Sequence, residues 1–338
     1  MSNQYNTMTD LQQSFPWLKE SCSQLGQYIA QNRIPQALLI IGKQGLGKLQ
    51  LAQYFAQSLL CTESTPNVAY CGTCQSCVLF NAQTHPDYIF IAPEEDGKAI
   101  GIGIIRQLTV KLALKPQFES QRVVIISPAD SLNNASANAF LKYLEEPTER
   151  TSIILVSDKP SKLPATIRSR CQKIIIATPD KVLVKDWLQQ QGISESIDLL
   201  LSLSQGSPLL AQQFSDNSVL QLRNEYFNDW VKLVTANGSF VELAEKWQKL
   251  DKNRIDLVLF WLISWVMDMI KLRHLKTVEI VNVDLITDLQ ELSTKLELKG
   301  LYQYYDLLLL SRQRIDTQLN KQLMFEEILI QWLQLNSR

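Results

Sequence analysis

The run ALLIIGKQGLGKLQLAQYFAQSLL, from residue 37 to residue 60, constrains this chain more than any other stretch. A short apolar segment ends in Gly42, a glycine-spaced loop follows with Gly45 and Gly47, and Lys48 opens a segment of helical periodicity. A strand that turns through glycines into a helix aims backbone N–H groups at an anion, and such units occur in parallel sheets flanked by helices. A loop of this kind that works on ATP needs a third component, a Ser or Thr hydroxyl for Mg²⁺ directly after the lysine. Leu49 stands there and cannot ligate a metal.

The segments beyond the loop agree with an α/β sheet. DYIFIAP (87–93) and RVVIISP (122–128) read as buried strands, TSIILVS (151–157) and QKIIIAT (172–178) as two more strands, and NASANAFLKYLEE (134–146) as a helix ended by Pro147. Strands alternating with helices make a parallel sheet with helices on both faces. After Pro179 the strand signal stops. Residues 179–217 read as two or three short helices around the turn QGSP (205–208), and residues 218–338 are helical throughout. The expected organisation is an α/β phosphate-loop domain over 1–178, a small helical lid over 179–217, and an all-α collar over 218–338 that serves oligomerisation. The most apolar stretch, IDLVLFWLISWVMDMI (255–270), is short and carries Asp256 and Asp268, so a buried helix is expected rather than a membrane span. MSNQYNTMTDLQQSF lacks a basic segment followed by an apolar run, and a cytoplasmic protein with no membrane partner is expected. With 33 Lys plus Arg against 34 Asp plus Glu, the charge balance gives no support to non-specific binding of nucleic acid.

The catalytic half of an ATP site is equally thin. An Asp–Glu pair at the end of a neighbouring strand would hold Mg²⁺ and activate water. The strand VVIIS ends instead in Ser127 and Pro128, and Asp130 lies three residues past Ser127. Losing the metal hydroxyl and both carboxylates together points to a site without hydrolysis. The loop glycines and Lys48 leave weak ATP binding open.

Cys61, Cys71, Cys74 and Cys77 lie in CTESTPNVAYCGTCQSC, with the spacing C-x9-C-x2-C-x2-C. Four thiolates close a tetrahedral shell around Zn²⁺, which makes such a site structural. Pro66 and Gly72 suit the turns between ligands. An iron–sulfur cluster competes, but its sequence pattern wants a further cysteine soon after, and Asn81 stands four residues beyond Cys77. Free thiols are the third reading. Cys22 and Cys171 are isolated and read as packing residues. His85 could serve as a ligand, although a surface or capping role suits it better.

Taken together, the cysteine loop behind the phosphate-loop helix, NASANAFLKYLEEPTE, and KLPATIRSRCQ resemble the clamp-loader subunits of bacterial DNA polymerase III, of the AAA+ class. The similarity spans the first domain, and the order of domains fits the rest. Two kinds of chain in that family carry the Ser-Arg-Cys motif: the ATP-hydrolysing gamma and tau motors, and a subunit with a degraded nucleotide site. This sequence resembles the second. Ser157 matches the family's strand-end Ser or Thr, whereas Leu209 stands about where the motors carry a lid arginine. The resemblance implies that Arg170, flanked by Ser169 and Cys171, is an arginine finger that reaches a neighbour's ATP in trans, with Arg168 structural. It also implies partnership with gamma/tau and delta, and through them with the beta sliding clamp and primed DNA, as an accessory of the polymerase holoenzyme. The chain would then be a stator that hydrolyses nothing itself. Two rivals stay open: an active gamma/tau-like ATPase, and a zinc-dependent nucleic-acid-binding module.

Overall fold

The computed structural model describes residues 8–63, 70–95, 98–113, 115–118, 121–146, 148, 150–215, 217–235, 238–274, 280–315 and 320–336. Pro66 and Pro147 lie outside the described residues. The chain forms two compact units, residues 1–184 and 185–338.

The first unit begins with helices α1 (Met8–Ser14) and α2 (Lys19–Ala30). Five strands follow: β1 (Ala37–Ile41), β2 (Tyr88–Ile91), β3 (Arg122–Ile126), β4 (Thr151–Ser157) and β5 (Gln172–Ile175). Between them run α3 (Lys48–Leu60), α4 (Gln75–Asn81), α5 (Ile102–Leu112), α6 (Asn134–Glu145) and α7 (Ala165–Arg170). The sheet order is β2-β3-β4-β1-β5, and every pairing is parallel. The expected parallel sheet is therefore observed.

β3 and β4 are buried along their whole length, as strands covered on both faces must be. Alternation divides their side chains between the two faces. Leu39, Val124, Ile126, Ile153 and Leu155 share one cluster with Ile105 and Leu108 of α5, Ala137 and Phe140 of α6, and Ile167 of α7. The alternate residues Leu38, Ile40, Val123, Ile125 and Ile154 face the opposite way and are equally buried. Helix α6 starts where Asn133 becomes available as a cap: its Oδ1 accepts the Ser136 N–H at 2.8 Å. β1 and β4 lie side by side with Ile41 opposite Ser157. This pairing brings the end of β4 to the phosphate loop.

Helix α8 (Lys181–Gln190) contains the boundary between the units. The second unit is helical: α9 (Ile197–Leu203), α10 (Pro208–Phe214), α11 (Asn217–Thr235), α12 (Phe240–Gln248), α13 (Lys252–His274), α14 (Ile286–Lys295), α15 (Leu298–Arg314) and α16 (Lys321–Asn336). The apolar stretch 255–270 is the interior of α13, where Trp261 and Trp265 are buried. Trp230 stacks on Trp332 with ring centroids 3.9 Å apart, and the Trp332 indole N–H donates to the Trp230 carbonyl at 3.1 Å. Both aspartates of α13 are satisfied. Asp268 is fully buried and accepts the Asn282 backbone N–H at 2.8 Å and the Asn282 side-chain amide at 2.7 Å. Asp256 takes a two-point fork from Arg312, at 2.9 and 3.1 Å. Among the described residues no helix is long and apolar enough to cross a membrane.

Candidate functional site

The phosphate loop has the shape that its glycines imply. Gly45 and Gly47 adopt φ of 78° and 80°, which L side chains rarely tolerate. At Gly42 a Cβ would stand 2.8 Å from the Ile176 carbonyl oxygen, so only glycine lets β1 leave the sheet this close to the end of β5. The loop is held from outside by Trp17, whose indole N–H donates to the Leu46 carbonyl at 2.9 Å.

Lys48 is buried, at 4% exposure, and its ammonium lies 2.6 Å from Oδ1 of Asp158. The same nitrogen donates to the Lys43 carbonyl. The two contacts turn the charge onto the loop's own backbone and the residue after β4. Asp158 is held in turn: its backbone N–H donates to Oδ1 of Asp130 at 3.0 Å. Asp130, four residues past the end of β3, is thereby used to fix the segment after β4. Leu49 lies in the first turn of α3, beside the loop. Ser157 closes β4 and is fully buried. Leu209, in α10, belongs to the second unit.

Arg170 is the last residue of α7, and its side chain is 38% exposed. Nη2 lies 2.8 Å from Oε1 of Glu145, the last residue of α6, and Nη1 donates to the Thr166 carbonyl at 3.0 Å. The LEE and Ser-Arg-Cys segments, distant in sequence, thus meet through one ion pair. Ser169 is exposed and its hydroxyl donates to the Thr166 carbonyl at 3.1 Å. Cys171 is buried in the core beneath, where burial pushes its thiol up to about 11. Arg168 is only partly exposed. Cys22 is buried too, its thiol raised to about 12 by loss of solvent.

The four cysteines of the 61–77 loop converge, with all four Sγ atoms within 4.8 Å of one another. Cys61 Sγ lies 3.7 Å from Cys71 Sγ and 3.9 Å from Cys74 Sγ. A tetrahedron of sulfurs at Zn–S distances of about 2.3 Å has edges of about 3.8 Å, so this donor set fits a four-coordinate metal. Backbone amides aim at the sulfurs: Cys71 N–H at Cys61, Cys74 N–H at Cys71 and Cys77 N–H at Cys74, at 3.2–3.4 Å. Such bonds favour the thiolate. At Cys74 burial opposes ionisation, but the Cys77 amide and Thr62 outweigh it and bring the thiol down to about 6.

His85 is buried, not on the surface, and stands outside the four-cysteine cluster. It is 3% exposed and linked to the cysteine loop through Ser76. Its Nδ1 accepts the Asp87 backbone N–H at 3.1 Å, which leaves Nε2–H to donate to the Ser76 hydroxyl at 2.9 Å. Ser76 donates onward to the Leu60 carbonyl at 2.6 Å. Burial holds the His85 pKa below its ordinary value. Of two further residues of the site, Glu145 was read only as part of the stretch NASANAFLKYLEEPTE that carries the resemblance, and Asp158 had no reading in the sequence. Asp158 was discoverable, because it directly follows the strand that pairs with β1.

The comparisons with known proteins agree along the chain. The profile of the DNA polymerase III delta subunit family matches residues 17–180, and that of its C-terminal part matches residues 217–334. The DNA polymerase III subunit delta′ of Pseudomonas aeruginosa is 32% identical over 327 residues, covering 95% of this chain and 98% of that one. The subunit delta′ of Escherichia coli is 32% identical over 285 residues, covering 83% of each. A solved gamma subunit-related protein of DNA polymerase III from Thermotoga maritima is 17% identical, with 93% of this chain and 99% of that one covered at a TM-score of 0.39. That last likeness carries no argument of its own. The two curated relatives, matched over most of their length, settle the family: this chain belongs to the delta′ subunits of bacterial DNA polymerase III.

Proposed function

We propose that this chain is the non-hydrolysing stator of a clamp loader, and that it lends Arg170 to the ATP site of a neighbouring subunit. The observation that carries the reading is the contrast between two cations. Lys48, which would hold its own nucleotide, is 4% exposed and bonded to Asp158. Arg170, which would serve another subunit's nucleotide, stands at the exposed end of a short helix. Asp130, the nearest carboxylate to an activating position, is bonded to the Asp158 amide instead. The chain retains no hydroxyl at position 49 for Mg²⁺.

A guanidinium is planar, keeps its charge and donates five N–H bonds, so it suits an oxygen-rich anion. Placed against a γ-phosphate in trans, it offsets the charge that develops in transfer, an effect of about 10³–10⁵ in other phosphoryl-transfer systems. The neighbour is a gamma or tau motor, and delta completes the arc. The assembly opens the beta clamp and closes it on primed DNA. The helical residues 179–217 serve as the lid and 218–338 as this chain's share of the oligomeric collar, all in the cytoplasm. Zn²⁺ held by Cys61, Cys71, Cys74 and Cys77 supplies structure to the insertion and no chemistry.

The test compares the purified chain with its Lys48→Ala variant. ATP turnover by the purified chain should equal that of Lys48→Ala, with or without clamp and primed DNA. Turnover by the chain alone that is lost in Lys48→Ala would restore the active-motor reading.

A further inference from the structure

Arg170 is held before any partner arrives. Its Nη2 meets Glu145 at 2.8 Å and its Nη1 meets the Thr166 carbonyl at 3.0 Å. These contacts use one hydrogen on each terminal nitrogen. Of the five N–H groups that a guanidinium carries, Nε–H and one on each terminal nitrogen remain for an incoming anion. The scaffold behind the pair is firm, because Phe140 of α6, Ile167 of α7, Leu163 and Cys171 share one buried cluster.

Stability does not explain the placing of Glu145. Both partners are well exposed, at 38% and 52%, and such pairs contribute little. Glu145 is moreover the last residue of α6, at the negative end of the helix dipole, where a carboxylate is disfavoured. A carboxylate retained there has its use in what it touches.

We propose that Glu145 is a positioning residue for the Arg170 finger. Its carboxylate fixes one edge of the guanidinium, and the Thr166 carbonyl fixes the adjacent edge. The remaining N–H groups are thereby preset for the phosphate oxygens of the neighbour's ATP. An arginine without this support samples many rotamers and must surrender them on contact, whereas a preset one keeps its geometry. The inference rests on the finger reading above.

The test is a double-mutant cycle in the assembled loader: wild type, Glu145→Gln, Arg170→Ala and the double variant, with Glu145→Asp as the conservative change. The readout is single-turnover ATP hydrolysis with clamp and primed DNA, and gel filtration checks equal incorporation of each chain. Glu145→Gln should slow the hydrolytic step roughly three- to tenfold, leave the ATP concentration at half-saturation unchanged, and have no effect when Arg170 is already alanine. Glu145→Asp should recover part of the rate. A Glu145→Gln loader as fast as wild type, beside a slow Arg170→Ala loader, overturns this inference and leaves the finger standing. An equal slowing by Glu145→Gln in both backgrounds also overturns it, since Glu145 would then act elsewhere. An Arg170→Ala loader as fast as wild type removes the finger and this inference together.

Discussion

At the scale of single residues, one ion pair ties the loop lysine to a carboxylate of the chain itself. The Lys48–Asp158 pair is mostly out of solvent, so each charge depends on the other. Asp158→Ala should lower unfolding stability by about 1–3 kcal/mol, measured by the urea midpoint, because it leaves a buried ammonium with carbonyl contact only. Replacing both residues by apolar ones should cost less than the single change. Restoring a hydroxyl with Leu49→Thr should produce no ATP turnover, since the acidic pair after β3 is still missing. Measurable turnover in that variant would show that the water-activating group had been overlooked. The glycines at 42, 45 and 47 were readable because the loop demands them. Asp158 was harder to see, because its importance arises from strand pairing and not from a spaced motif.

At the scale of elements, the strands were legible and several helices were not. β1 to β5 fall inside the apolar runs; β1, β3 and β4 are covered on both faces, which leaves near-continuous hydrophobic sequence, whereas at the sheet edges β5 is mostly exposed and β2, read as a buried strand, is buried only at Ile91. Helices α1, α2, α4, α5 and α7 had no reading. α4 and α7 are seven and six residues long, too short for a periodic stripe to stand out. The cysteine loop was legible in its four thiols but not in the link from Ser76 to His85 behind them, because those contacts need the fold. Elemental analysis of the purified chain should give about one zinc per molecule. Stripping the metal with a strong chelator should open the 61–77 segment to protease while the circular dichroism of the helical second unit persists. Zinc that stays bound in a Cys74→Ser, Cys77→Ser double variant would contradict the four-thiolate site.

At the scale of the whole molecule, the helical second unit takes its order from aromatic packing and a few buried charges. Trp230→Ala should destabilise the chain by about 3–5 kcal/mol in denaturant unfolding, because it empties the space against Trp332 and Trp265. The periodicity made this unit legible as helical, but not which faces met. The formal net charge of −1 gives no support to non-specific DNA binding by the chain alone. Fluorescence anisotropy of labelled primed DNA should therefore show no salt-sensitive binding to the chain alone, and strong binding that weakens steeply with salt would favour the rival nucleic-acid module. In the proposed function, chemistry at a neighbour's ATP depends on this chain's Arg170. The most direct test is single-turnover ATP hydrolysis by a loader reconstituted from gamma or tau, delta and this chain, with clamp and primed DNA present. With Arg170→Ala, hydrolysis at the site facing this chain should fall at least about a hundredfold while the loader still assembles. Unchanged hydrolysis in the intact complex would contradict the account and leave Arg170 as a structural partner of Glu145.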